Sequence, residues 1–159
     1  MIAATACAHQ SFTVKTITSI PFKADSGADL AALGRRLTAI FNRAGNRRAT
    51  IALLASSSGR FKSSVEAIKA EAMIELSAAD SGLPVVRVTA ASLKKVLGCA
   101  PGQKWQARAA ETLNPKGRHE NWSQGAAGAA AAALKGAEVC RAASRTEAPL
   151  CSYLVIDNN

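Results

Sequence analysis

Residues 49–76 read ATIALLASSSGRFKSSVEAIKAEAMIEL. The opening run Thr50-Ile51-Ala52-Leu53-Leu54 is almost wholly apolar, as a central strand covered on both faces must be. Residues 56–62 form a small polar loop with one glycine, Gly59, and two cations, Arg60 and Lys62. From 64 to 80 the spacing predicts a helix. Val65, Ile68, Ala72 and Leu76 fall on one face, and Ala67, Ala70, Ile74 and Ala78 on a second. A helix apolar on two sides is normally sandwiched between a sheet and another helix. Strand, basic loop and helix N-terminus together make an anion-handling corner, because free backbone N–H groups and the helix dipole both favour phosphate.

Toward the N-terminus, residues 11–22 are rich in β-branched side chains and end at Pro21, which predicts a strand near a sheet edge with residues 2–8 as its hairpin partner. Asp25 or Ser26 caps a helix whose stripe is Leu30, Leu33, Leu37, Ile40 and Phe41, and Gly45-Asn46 stops it. On the other side, residues 83–88 read as a short strand. Thr89 or Ser92 then caps a helix with Leu93, Val96 and Leu97 inward and Lys94 and Lys95 outward. Pro101-Gly102 is a turn, residues 103–113 are helical around Trp105, and residues 114–121 are a polar, basic loop. The Gly/Ala-rich run 123–134 reads as a helix capped by Ser123, and residues 152–156 as a last strand. Alternating strands and helices predict an α/β fold with a mainly parallel sheet. One domain is expected over 1–159, with a core at about 11–137 and a C-terminal extension at 138–159.

The chain carries a formal charge of +9, unevenly spread. Residues 30–65 contain no acid, while Arg35, Arg36, Arg43, Arg47, Arg48, Arg60 and Lys62 are all cationic. Such a surface attracts a polyanion, or else serves as a solvated face that keeps the chain soluble. No apolar run reaches the roughly 18 residues needed to span a bilayer. The first residues lack the basic start of a signal peptide, so the expected compartment is the cytoplasm. Cys7, Cys99, Cys140 and Cys151 lie far apart without C-x-x-C spacing and are expected to be reduced thiols.

Little in the sequence points to catalysis. The G-x-x-x-x-G-K-[ST] spacing of a P-loop is absent, and the serines at 56–58 and 63–64 have no G-x-S-x-G elbow. Glu71 and Glu75 stand four apart on a helix, which reads as a solvated face beside Lys69 before it reads as a metal site. His119-Glu120 has no third ligand in view, and His9 is isolated. Trp105 and Trp122 are expected to anchor the core instead of stacking on bases. No catalytic residue, metal or cofactor is assigned.

The run GRFKSSVEAIKAEAMIELSAADSGLPVVRVTAASLKK, residues 59–95, followed by Gly125-Ala126-Ala127-Gly128-Ala129-Ala130-Ala131, resembles the RNase H-like superfamily, in the branch of RuvC-type Holliday junction resolvases. In that branch a strand ends at a glutamate, and a basic loop, a helix, a strand like LPVVRVT and a helix with paired lysines follow. An alanine-rich helix with a pattern like D-A-A-D-A-L-A closes the domain. The resemblance covers roughly residues 11–134. It implies a three-layer α/β sandwich around a mixed sheet, and phosphodiester hydrolysis by two metal ions about 4 Å apart held by carboxylates. The implied positions carry no acid: residues 54–56 replace the strand-end glutamate, and Gly125 and Gly128 replace the two aspartates. The first-strand aspartate has no counterpart, because the chain begins at the second strand; the usual first strand is expected to be missing.

The expected function is a non-catalytic RNase H-like domain whose basic surface engages nucleic acid, weakly and without sequence preference, or a partner protein. Its anion-contacting residues are expected to be Ser58, Gly59, Arg60, Lys62, Ser63 and Ser64 in the loop, with Arg35, Arg36, Lys94 and Lys95 on helices. Two alternatives stand beside it. One is an active nuclease with an atypical or truncated acidic site. The other is a structural homo-oligomer subunit that packs through the Gly/Ala helix.

Overall fold

Strands β1 (Ile2–Ala8) and β2 (Phe12–Ser19) form the expected antiparallel hairpin, with Ala4 opposite Ile17. The computed structural model describes residues 2–8, 12–45, 49–54, 64–114, 117, 122, 126–143 and 152–157. After the hairpin come α1 (Gly27–Gly45), β3 (Thr50–Leu54), α2 (Val65–Asp80) and β4 (Val85–Val88). Then follow α3 (Ala90–Val96), α4 (Trp105–Leu113), α5 (Ala126–Ala143) and β5 (Ser152–Asp157). The sheet order is β2-β1-β5-β3-β4, which leaves β2 at one edge and β4 at the other.

That order corrects two expectations. Residues 152–157 are not part of an extension: β5 is the central strand, antiparallel to β1 with Ala4 opposite Val155, and parallel to β3 with Leu53 opposite Ile156. A strand preceding β1 and joined to it by a short turn would lie antiparallel along the edge of β1 away from β2. β5 occupies that edge, reached from the other end of the sequence. The sheet is mixed, as the resemblance implies, and not mainly parallel as the alternation of strands and helices predicts, since β3 pairs parallel with β4 and β5 while β1 pairs antiparallel with β2 and β5.

β3 is buried along its whole length, and its alternating side chains feed two cores. Ile51 and Leu53 join Leu33, Leu37 and Phe41 of α1 and Ala70, Ile74 and Ala78 of α2. Ala52 and Leu54 join Leu93 of α3, Ala109 of α4 and the alanines of α5. In α5, residues 129–133 are wholly buried alanines, and the helix lies against β1, β3 and β5. Methyl-sized side chains let its backbone approach a sheet closely along several turns. The Gly/Ala face is therefore spent on the chain's own core, which removes the packing face of the oligomer alternative. Trp105 and Trp122 pack against the same cluster, as anchors.

Helix starts follow the local chemistry. Ser26 and Asp29 exchange bonds at the head of α1, with the Asp29 N–H donating to Ser26 Oγ at 3.2 Å and the Ser26 N–H to Asp29 Oδ2 at 3.0 Å. Gly98, at φ +63°, ends α3, and the Cys99 N–H beyond it donates to the Lys94 carbonyl at 3.0 Å. Among the described residues no helix is long and apolar enough to cross a membrane.

Candidate nucleic-acid interface

β5, β3 and β4 run the same way, so Asp157, Leu54 and Val88 end together at one edge of the sheet. In open α/β sheets this carboxyl edge is where ligands bind. From Leu54 the chain enters residues 55–63, so Ser58, Gly59, Arg60, Lys62 and Ser63 lie outside the described residues. It returns at Ser64, the N-cap of α2, whose Oγ accepts from the Ala67 N–H at 3.1 Å. Glu66 sits in the same turn. Its carboxyl is held below the usual range by its own backbone N–H and then by the Ser64 hydroxyl, against a small opposing effect of burial. The protein's own oxygen atoms thus already take up donors that an incoming phosphate would seek. At α3 the Ser92 N–H donates to Thr89 Oγ1 at 3.3 Å and the Thr89 N–H to Ser92 Oγ at 3.0 Å, a closed capping box.

The structure splits the helical cations into two groups. Arg35 and Arg36 of α1 line an open groove of 680 Å³ with Phe22, Leu33, Lys23 and Asp29. Arg36 Nη1 donates to the Pro21 carbonyl at 2.7 Å, which fixes that guanidinium at the rim. The Asp29 carboxyl is held below its usual range by the Ser26 hydroxyl, which donates at 2.7 Å; burial opposes this, and Lys23 assists. Lys94 and Lys95 are exposed in the last turn of α3, on the opposite side of the sheet. These four cations do not form one patch. Lys23 joins Arg35 and Arg36 because the chain doubles back after Pro21, a long-range closure that local periodicity does not carry.

The acids are placed as follows. Glu75 Oε1 accepts from Arg87 Nε at 2.6 Å, and Glu71 Oε2 lies 3.9 Å from Arg87 Nη1. The sequence reading set these glutamates beside Lys69, but the Lys69 ammonium donates to the Ala24 carbonyl at 2.8 Å instead. Gly128 is buried in the first turn of α5, and Gly125 lies outside the described residues. Among the described residues no three His, Cys, Asp or Glu side chains gather as a metal site would require. The resemblance implies two divalent ions at the carboxyl edge. Leu54 and Gly128 offer no side-chain donor there. Asp157, which local reading passed over, ends β5 at that edge, where Glu66 in the first turn of α2 is another acidic residue.

No family model and no curated protein matches the chain. Solved structures do. A Thermus thermophilus RuvC structure superposes with a TM-score of 0.62 at 16% identity, covering 91% of this chain and 98% of that one. T. thermophilus RuvC in complex with a Holliday junction substrate gives 0.61 at 16% identity, covering 94% and 99%. At this identity the likeness speaks to architecture: the chain has the RuvC-type, RNase H-like fold.

Proposed function

We infer that the chain is a RuvC-like domain that binds nucleic acid weakly, without sequence preference, and does not cleave it. The observation that carries this reading is the donor set at the carboxyl edge, where Leu54 and buried Gly128 stand at positions that need acids. Two divalent ions bring a charge of about +4 into a small site, and Asp157 with Glu66, which is held by its own backbone N–H and Ser64, does not offset it. The charge of +9 supports contact with phosphate backbones, and no base-reading motif accompanies it. Helix groups on both sides of β3 support a three-layer sandwich.

A second reading, an active metal-dependent nuclease, is favoured by one observation, the placement of Asp157 at the end of the central strand. The deciding experiment incubates the protein with four-way junction, duplex and single-stranded DNA, and with RNA, in Mg²⁺ or Mn²⁺. Asp157→Asn and Glu71→Gln/Glu75→Gln are run beside it. Salt-sensitive binding without cleavage is expected. Cleavage lost in either variant would establish the nuclease, and absence of binding at low salt would remove the nucleic-acid reading.

A further inference from the structure

The groove beside α1 opens at the carboxyl edge of the sheet. Ser19 stands opposite Ile2, and Ile2 opposite Asp157, so β2 ends at the edge where β5, β3 and β4 end. The chain turns there through residues 20–26 and enters α1 from the same side. The groove walls are apolar: Phe22 is half-buried, Leu33 is buried, and Ala32 and Ala39 are exposed. Lys23, Arg35 and Arg36 are exposed on the same lining against one acid, Asp29, whose Oδ2 already accepts from the Ser26 hydroxyl and N–H. Arg36 donates to the Pro21 carbonyl through Nη1 and keeps its other N–H groups for a ligand. The turn adds exposed Asp25 and the Lys69 ammonium, which donates to the Ala24 carbonyl at 2.8 Å.

Each part of this lining selects among ligands. The cations draw phosphate, but a duplex shows only its polar backbone and groove edges, with its bases stacked inward. Phe22, Leu33 and the alanines therefore add nothing for a duplex. A single strand presents the faces of its bases together with its phosphates, and bases stack on aromatic rings whatever their sequence. An acidic peptide with apolar side chains would match the charge, but the groove is continuous with the carboxyl edge, where the candidate nucleic-acid interface lies. Its volume of 680 Å³ falls in the range of small-ligand sites, about 300–1,000 Å³, and has room for a base. We propose that this groove holds an unpaired segment of a single-stranded nucleic acid, with a base against Phe22 and its flanking phosphates on Lys23, Arg35 and Arg36. The proposal rests on the nucleic-acid reading and gives it a substrate class.

The test is fluorescence anisotropy of the full chain with labelled strands of about 12 nucleotides, in DNA and RNA form. An abasic strand with the same phosphates and a duplex of equal length are run beside them. The tighter of the two intact strands is expected to bind at least about fivefold more tightly than the abasic strand. Phe22→Ala should weaken it about tenfold and leave the abasic strand and the duplex unchanged. Phe22 also packs on the core, so Ala32→Gln/Ala39→Gln, which fills the groove from exposed helix positions, gives the same reading if Phe22→Ala melts early. Lys23→Gln/Arg35→Gln should lower the salt slope for the strand by about 0.7 per cation. Equal binding of intact strand, abasic strand and duplex overturns the proposal and leaves the nucleic-acid reading standing. So does a preference for the intact strand that survives both groove variants. No binding of any probe at low salt removes that reading and the proposal together. A labelled acidic, leucine-bearing peptide that binds more tightly than the strands, and is lost in Ala32→Gln/Ala39→Gln, would overturn the proposal in favour of a partner protein.

Discussion

Arg87 of β4 holds Glu75 of α2 through an Nε–Oε1 bond of 2.6 Å, tying the edge strand to the helix that leads into it. The bond holds the Glu75 carboxyl below its usual range against the opposing effect of burial, and it raises Arg87 further. A carboxylate depressed in the folded state adds stability above its unfolded value, near 4.3, and loses it as pH falls through the folded value. Glu75→Gln should therefore cost stability at pH 7, and the gap from wild type should close at acid pH. Both side chains are partly exposed, at 55% and 38%, which limits the cost to at most about 1 kcal/mol. Urea melts of the two proteins across the acid range measure the gap.

Ser64→Ala and Thr89→Ala each remove an N-cap acceptor, for Ala67 and Ser92 respectively. Each should cost about 1 kcal/mol. Thr89→Ala leaves the Ser92 hydroxyl bonded, because Ser92 Oγ accepts from the Thr89 backbone N–H and donates to the Thr89 carbonyl. Denaturant melts of the two variants give the comparison.

Ala130→Leu inserts a branched side chain where α5 has no accessible surface. Overpacking of this kind costs about 1–3 kcal/mol. Ile68→Ser, on an exposed position of α2, should change stability by no more than about 0.5 kcal/mol. The contrast in thermal melting separates a spent apolar face from an unspent one.

Arg60→Ala/Lys62→Ala should weaken nucleic-acid binding more than Lys94→Ala/Lys95→Ala. The first pair lies in the basic loop that follows the carboxyl end of β3, and the second on a helix beyond the opposite core. Each lost phosphate contact should lower the slope of log affinity against log salt by about 1. Salt titrations of both double variants against one duplex measure it.

Much of the fold was legible in local pattern. The α1 stripe of Leu33, Leu37 and Phe41 and the two-sided burial of β3 follow from spacing and residue type, and Ser26 and Thr89 are each one of the two cap candidates that residue type offers. Pairing across long separations was not legible. A short run with an apolar centre, such as Tyr153-Leu154-Val155-Ile156, reads the same at a sheet edge and at its centre, so local pattern does not reveal the place of β5 or of Asp157 at its end. The α2 periodicity showed two apolar faces but not which one the sheet would take. Glu75 looked to Lys69 six residues away because its real partner, Arg87, is reached only through the α2–β4 turn. At the candidate site, the missing acids were visible residue by residue, whereas the separation of Arg35 and Arg36 from Lys94 and Lys95 required the sheet between them.

The central place of β5 also sets an order of events during synthesis. Until residues 152–157 leave the ribosome, the β1–β2 hairpin and the β3–β4 pair are two unjoined fragments, each with an open inner edge. Open edges of this kind recruit other strands, and pairings across nearly the full chain form slowly. Until residues 152–157 emerge, the middle of the sheet stays vacant. A ribosome stall before codon 152 should leave a species far more prone to aggregate than one stalled, with enough linker to clear the exit tunnel, after codon 157.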